Sequence, residues 1–153
     1  LQIVLHKKGG GAFCLAGQNV QRPAEAQHEV SVLTKALSEI LELAIVSFAK
    51  ENVEMASKGE PLSQAMSVII SQIRPRHVER LQKGECTIEK GFIYSDLLSN
   101  YARVFDHCSN IAAATIGATL DNFDTHEYLD KVKSQDNPNF TELYHAYLKQ
   151  YAV

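Results

Sequence analysis

Apolar side chains recur at steps of three and four residues along much of the chain, the spacing that places them on one face of an α-helix. The first such stretch begins near Pro23, a residue favoured in the first turn of a helix. Its predicted seam comprises Val30, Leu33, Leu37, Ile40, Ala44 and Phe48, widened by Leu41 and Ile45. Asn52 is the predicted end or bend of this first long helix.

A second stretch follows a break that we place at Gly59 and Pro61. Proline inside a helix removes one backbone hydrogen bond, so we expect a kink at Pro75 before the helix resumes. Gly84 is a suitable C-terminal cap residue and predicts the helix end. The seam of this second helix comprises Leu62, Met66, Ile69, Ile70 and Ile73.

The third stretch is the longest, and Thr87 is placed to cap its first turn. We expect the helix to fade near Gly117. Its predicted seam has a near-heptad spacing and comprises Tyr94, Leu97, Tyr101, Val104, Cys108 and Ile111.

The remaining residues predict shorter elements at the two ends of the chain. Residues 1–22, which include three consecutive glycines, are interpreted as an extended arm or linker. A short helix is expected over residues 125–133 and a last amphipathic helix over residues 140–151. The predicted fold is therefore all-α: an antiparallel three-helix bundle over residues 23–120, with additional short C-terminal helices over residues 121–153.

Composition excludes several classes of protein. The formal net charge of −3 and the pI of about 6.1 argue against a nucleic-acid binder, which usually has a basic excess. Three cysteines without a CxxC pair favour a reducing compartment over a disulfide framework. No apolar run approaches the ~18 residues that span a bilayer, and no signal peptide is visible, so we expect a soluble chain. The chain begins at Leu1, so we also expect that it belongs to a longer protein with a separate membrane part.

A polar row on the third helix is the strongest candidate for metal chemistry. Asp96, Asn100, Arg103, His107 and Asn110 recur at steps of four and three, and Asp106 lies beside them. Carboxylate and imidazole groups are common metal ligands, so the candidate ligands are Asp96, Asp106 and His107. The alternative is a solvated face or a buried polar network that fixes helix register.

Basic residues cluster on the second helix, on both sides of the expected kink. With one arginine of the third helix they form the candidate site for an anion or an acidic partner: Arg74, Arg76, His77, Arg80 and Arg103. The alternative is a solvated face balanced by Glu79 and Glu85. No nucleotide-binding loop, nucleophile elbow or kinase motif is present, so the chain is not expected to be an enzyme.

Two segments of the chain resemble the PhoU-like domains that are fused to bacterial sodium/phosphate cotransporters. Residues 77–87 resemble that family's H-x-x-R-L-x-x-G-E-C segment, and residues 95–112 resemble its D-L-L-x-N-x-E-R-x-x-D-H-x-x-N-I-A signature. The tail, with His126-Glu127-Tyr128-Leu129 and residues 140–151, is similar to the family's H-E-Y-L ending. The resemblance covers roughly residues 25–153.

This resemblance implies a cytosolic, noncatalytic regulatory domain at the cytoplasmic face of the cell membrane. The expected partners are the membrane domain of a phosphate transporter, another cytosolic regulator or a second copy of the chain, and no nucleic acid. PhoU proteins bind multinuclear metal clusters through acidic motifs. Here Ala102, Ser63, Gln64 and Ser67 stand at the acidic positions, which leaves Asp106 with Asp96 or Glu60. No cofactor is therefore expected, and a divalent or iron ion is the alternative.

Two other functions remain open from the sequence. The chain could be a stand-alone metal-binding helical protein or a phosphate-signalling regulator, drawing its ligands from Asp96, Asp106 and His107. It could also be a generic helical scaffold whose resemblance to the family is accidental.

Overall fold

The computed structural model describes residues 24–119 and 138–153, and every regular element in these two ranges is helical. The all-α prediction is therefore confirmed for the described part of the chain. The predicted arm over residues 1–22 and the predicted short helix over residues 125–133 lie outside the described residues. The helices are α1 (Ala24–Lys50), α2 (Val53–Ala56), α3 (Gly59–Gln82), α4 (Ile88–Thr119) and α5 (Pro138–Gln150).

The three long helices α1, α3 and α4 pack against one another, and α3 runs opposite to the other two. The end of α3 meets the start of α1, because Arg80 hydrogen-bonds to Glu29. At the other end of α3, Glu60 accepts a hydrogen bond from Ser109 near the end of α4. Helices α1 and α4 therefore run parallel, with α3 antiparallel to both.

The core lies between these helices and is built mostly from aliphatic side chains. Phe105 of α4 is buried among leucines and isoleucines of all three long helices. Complete burial of such side chains contributes about 1.5–3 kcal/mol each, and this is the main term that holds the helices together. The largest fully buried aliphatic side chains are Leu33, Ile40, Leu62, Met66, Ile69, Ile73, Leu98 and Ile116.

A tight connection joins α1 to α3 through the short helix α2. Asn52 caps α2, because its side-chain oxygen accepts a hydrogen bond from the backbone N–H of Met55 at 2.9 Å. Ala56 of α2 then packs against Ala112 and Ile116 of α4. Gly59 begins α3 so close to α4 that a Cβ atom there would lie 2.9 Å from the Cβ of Ala112.

The turn between α3 and α4 is closed by a Schellman motif. The N–H of Glu85 donates to the carbonyl of Arg80, and the N–H of Gly84 donates to the carbonyl of Leu81. Gly84 has φ +72°, the left-handed conformation that glycine adopts without steric cost. The predicted stop at Gly84 is thus confirmed, and Thr87 accepts a long hydrogen bond from the N–H of Lys90 at 3.4 Å as the next helix begins.

Helix α5 packs along α3 and is tied to α1 at its C-terminal end. Tyr147 and Tyr151 are buried against the core. Glu39 of α1 accepts hydrogen bonds from the hydroxyl of Tyr151 and from Gln150 Nε2, the latter at 3.2 Å. The last predicted amphipathic helix is therefore present and forms part of the folded unit.

Two of the predicted seams were partly wrong. On α4 the predicted seam residue Cys108 is buried, but Leu98 and Phe105, each one position after a predicted seam residue, are buried even more completely, and Ile111 is exposed. The reason is that α4 is covered from two sides, by α1 and α3, which moves the centre of its buried face. On α1 the seam extends to Ser47, while Ile45 and Phe48 are exposed, because no described element covers that side of the helix end.

The predicted breaks were also displaced. Gly59 and Pro61 do not interrupt the chain but lie in the first turn of α3, where proline is tolerated because its nitrogen needs no helical partner. The chain instead turns at Ser57 and Lys58. Helix α3 continues through Pro75 to Gln82. Within the described ranges, no helix has the length and apolar character required to cross a membrane.

Candidate functional site

A buried ion pair joins the start of α1 to the end of α3. Glu29 is 2% exposed and Arg80 is 4% exposed. The two guanidinium nitrogens of Arg80 donate to the two carboxylate oxygens of Glu29, with Nη1–Oε1 at 3.2 Å and Nη2–Oε2 at 2.7 Å. This two-pronged geometry is the strongest arrangement of such a pair, and it fixes the relative orientation of the two helices.

Helix α4 joins the same cluster through Tyr94. The Tyr94 hydroxyl donates to Glu29 Oε2 at 2.5 Å, and its ring lies 5.7 Å from the guanidinium carbon of Arg80. The ring of His77 lies 4.6 Å from that of Tyr94, and His77 Nε2 donates to the carbonyl of Gly91 at 3.0 Å. Glu29, His77, Arg80 and Tyr94 thus connect all three long helices, and we refer to them as the polar cluster.

The electrostatics of the polar cluster favour the ion pair at neutral pH. Burial alone would lower the pKa of Arg80, but its hydrogen bonds to Glu29 and the charge of that carboxylate raise the pKa above its usual value. Burial raises the pKa of Tyr94, and the hydrogen bond to Glu29 raises it further. Arg80 therefore stays charged and Tyr94 stays protonated, which keeps both hydrogen-bond donors directed at Glu29.

Two outer charges complete the surroundings of this pair. Arg76 Nε lies 3.8 Å from Glu29 Oε1, and the exposed Glu25 lies 3.7 Å from Arg80 Nη1. No described buried side-chain nitrogen or oxygen lacks a hydrogen-bond partner. The arrangement is a saturated structural network, since each of its buried polar atoms already has a protein partner.

The five predicted anion-binding residues do not form one surface. His77 and Arg80 are buried in the polar cluster, and Arg76 is half-buried beside it. Arg74 and Arg103 are exposed on the outer side of α3 and α4. Of these two, Arg74 contacts α4 directly, because its Nη2 donates a hydrogen bond to the hydroxyl of Ser99 at 3.2 Å.

The predicted metal ligands lie on the exposed side of α4. Asp96, Asp106 and His107 are all exposed, as are Asn100 and Asn110 of the same polar row. Glu60, the other carboxylate predicted as a partner of Asp106, accepts a hydrogen bond from Ser109 of α4 and another from Gln64 Nε2 at 3.0 Å. Within the described ranges, no group of three or more His, Cys, Asp or Glu side chains is arranged to hold a metal ion.

An apolar surface lies where the ends of α1 and α4 run side by side. A shallow pocket of about 370 Å³ is lined only by apolar residues: Ala44, Ile45, Phe48, Ala49 and Ile111. Phe48 is 68% exposed, which is unusual for a phenylalanine in a core-forming helix. We refer to these five residues as the α1–α4 apolar surface. Ile88, Phe92 and Ile93 form a second exposed apolar group at the start of α4.

The sequence interpretation missed Glu29 and Tyr94 as partners of Arg80, although the sequence contains a signal for them. Glu29 precedes Leu33 by four residues and therefore continues the apolar seam of α1. His77 and Arg80 likewise continue the seam of α3 at its C-terminal end. In antiparallel packing these ends meet, so charged residues at seam positions of both helices predict a buried pair.

Comparison with known protein families, with curated proteins and with solved structures found no match to this chain.

Proposed function

We propose that this chain is a PhoU-like regulatory and interaction domain of a sodium-dependent phosphate transporter, and that it acts without catalysis at the cytoplasmic face of the membrane. In this proposal α1, α3 and α4 correspond to the antiparallel three-helix half of such a domain, and α5 is the C-terminal addition. The membrane domain of the transporter or a cytosolic regulator is the proposed partner.

One observation carries the proposal: the residues of the first family-like motif have structural roles inside the domain. His77 and Arg80 belong to the polar cluster, Leu81 lies against Gly91, and Gly84 closes the Schellman turn. These residues hold α3 and α4 together as a helical hairpin and attach the hairpin to α1. A motif with only structural roles supports a noncatalytic domain that acts by binding a partner.

The α1–α4 apolar surface is the proposed docking face, and its proposed occupant is a second copy of the chain. Ile45, Phe48 and Ile111 are exposed large apolar side chains on this face, and no described element covers them. The same face of a second copy would cover them, because an apolar patch is its own complement across a two-fold axis.

The docking face is tested by sedimentation analysis of two matched variants. Phe48→Lys places a charge in the α1–α4 apolar surface, whereas Phe92→Lys makes the same change at an equally exposed phenylalanine, 70% against 68%. We expect wild type and Phe92→Lys to dimerise and Phe48→Lys to remain monomeric. A monomeric wild type, or a dimer unchanged by Phe48→Lys, would refute this face as the interface.

The link to a transporter is tested by the coding sequence around this segment. We expect an open reading frame that joins this segment to several membrane-spanning segments. We also expect phosphate uptake to change when the segment is deleted. A stop codon directly upstream, or uptake that is unaffected by the deletion, would contradict the assignment. Self-association is independent of this test, so the two parts of the proposal can fail separately.

A further inference from the structure

An exposed pair of arginines on the α3–α4 face forms a second candidate site, separate from the polar cluster. Arg74 donates from Nη2 to the hydroxyl of Ser99 at 3.2 Å, and that hydroxyl donates to the carbonyl of Ser95 at 3.0 Å. The Ser99 hydroxyl is thus fixed by the helix backbone, and it holds the guanidinium of Arg74 against α4. The other N–H groups of Arg74 have no partner among the described residues.

Arg103 brings a second guanidinium to the same place. It lies one helical turn after Ser99, a rise of about 6 Å along the axis. Long side chains in a helix lean toward its N-terminus, so the side chain of Arg103 extends over the turn that contains Ser99. Arg103 is exposed and forms no hydrogen bond or ion pair within the described residues. Helix geometry therefore directs the side chains of Arg74 and Arg103 to the same turn of α4, and the hydrogen bond to Ser99 holds that of Arg74 there.

Two carboxylates lie on the same side of α4 but do not neutralise the arginines. Asp96 precedes Ser99 by three residues and Asp106 follows Arg103 by three, and both are exposed. No described ion pair joins either carboxylate to Arg74 or Arg103, whereas five other close pairs are formed elsewhere in the described chain. Apart from the Arg74 Nη2 donor that is bound to Ser99, the N–H donors of both arginines have no acceptor among the described residues and can bind an external one.

We propose that Arg74 and Arg103 bind a dianionic tetrahedral oxyanion of the phosphate type. The guanidinium fork matches the spacing of two phosphate oxygens, and two such forks can engage one dianion from different sides. Ser99 is the positioning residue that holds Arg74 for this contact. The inference rests on the geometry of this face and is independent of the proposed link to a transporter.

Inorganic phosphate is the probe, measured by titration calorimetry against chloride at matched ionic strength. We expect saturable one-to-one binding by wild type, and about a tenfold loss of affinity in Arg74→Gln and in Arg103→Gln, the effect of one charge-assisted contact. Lys83→Gln removes an exposed cation far from Ser99 and is expected to bind like wild type. Arg103→Gln alters a side chain without described partners, so it carries the test alone should Arg74→Gln lose structure.

Absence of saturable binding would overturn the proposal, as would equal affinity in Arg103→Gln. A loss in Lys83→Gln as large as in Arg103→Gln would also overturn it, because that result indicates general charge attraction. Sedimentation with phosphatidylcholine vesicles that contain phosphatidic acid separates two sources of the anion. Vesicle binding that is lost in Arg103→Gln supports a lipid headgroup at this site, and phosphate binding without vesicle binding supports the free anion.

Discussion

The buried pair of Glu29 and Arg80 yields a sharp prediction, because the two side chains depend on each other. Replacing either by methionine, of similar length and uncharged, leaves its partner charged inside the structure. Removing one member of a buried pair typically costs about 3–5 kcal/mol. We expect the lower end of this range, because Glu29 would keep Tyr94 and Arg80 would keep Glu25 at 3.7 Å.

The double variant Glu29→Met/Arg80→Met should lose less stability than the sum of the losses in the two single variants. Both charges are then absent, and the methionines fill the space with apolar volume. Such replacements are often neutral or stabilising, so we expect a free energy of unfolding within about 1 kcal/mol of wild type, although each single variant loses about 3 kcal/mol. The large departure from additivity is the signature of direct pairing.

Urea denaturation followed by far-ultraviolet circular dichroism provides the measurement. The matched control is the Glu79–Lys83 pair at the end of α3, whose side chains are 64% and 63% exposed and 3.9 Å apart. Its methionine variants should each change stability by less than about 0.5 kcal/mol. Additive costs for Glu29 and Arg80, or single-variant costs no greater than in the control pair, would refute the reasoning.

Three further predictions concern the effects of glycine substitutions and of one buried tyrosine on stability. Gly59→Ala should destabilise the protein more than Gly91→Ala in the same urea assay. The new Cβ at Gly59 meets the Cβ of Ala112 at 2.9 Å, which cannot move away, whereas the new Cβ at Gly91 meets Cδ2 of Leu81 at 2.6 Å, which is the end of a flexible side chain. Equal losses of stability in the two variants would contradict this reasoning. Gly84→Ala should cost about 1 kcal/mol because φ is +72° there, and no measurable loss would show that the Schellman turn is not required. Burial, with the hydrogen bond to Glu39, raises the pKa of Tyr151 to about 12, so its contribution to stability should be complete below pH about 10 and lost as pH rises through about 12. Alkaline denaturation with phenolate absorbance tests this point, and in Tyr151→Phe the loss across this pH range should be smaller.

Much of the helical framework could be predicted from spacing alone. The seam of α3 from Leu62 to Ile73 is buried as expected, because its aliphatic residues recur at steps of three and four and so mark one face of the helix. The start of α1 and the stop at Gly84 follow from local backbone chemistry, which acts within a few residues. The α4 seam could not be placed as well, because a helix covered from two sides buries a broad face whose centre depends on its neighbours.

The candidate sites were harder to predict, and for a different reason. Whether a charged residue is solvated or paired depends on residues distant in sequence: Glu29 and Arg80 are separated by 51 positions. Arg74 and Arg80 belong to the same basic cluster in sequence, yet one faces solvent and the other the core. The difference follows from the helical phase, because Arg80 continues the α3 seam and Arg74 follows its last aliphatic residue, Ile73.

The central claim is that Arg80 is buried in the polar cluster, whereas Arg74 and Arg103 face solvent. One chemical modification experiment tests this claim directly. The native protein is treated with an arginine-specific dicarbonyl reagent, and each peptide is followed by mass spectrometry over time. The account predicts rapid modification of Arg74 and Arg103, and protection of Arg80 until the protein is unfolded. Modification of Arg80 at the rate of Arg74 in the native state would contradict the account.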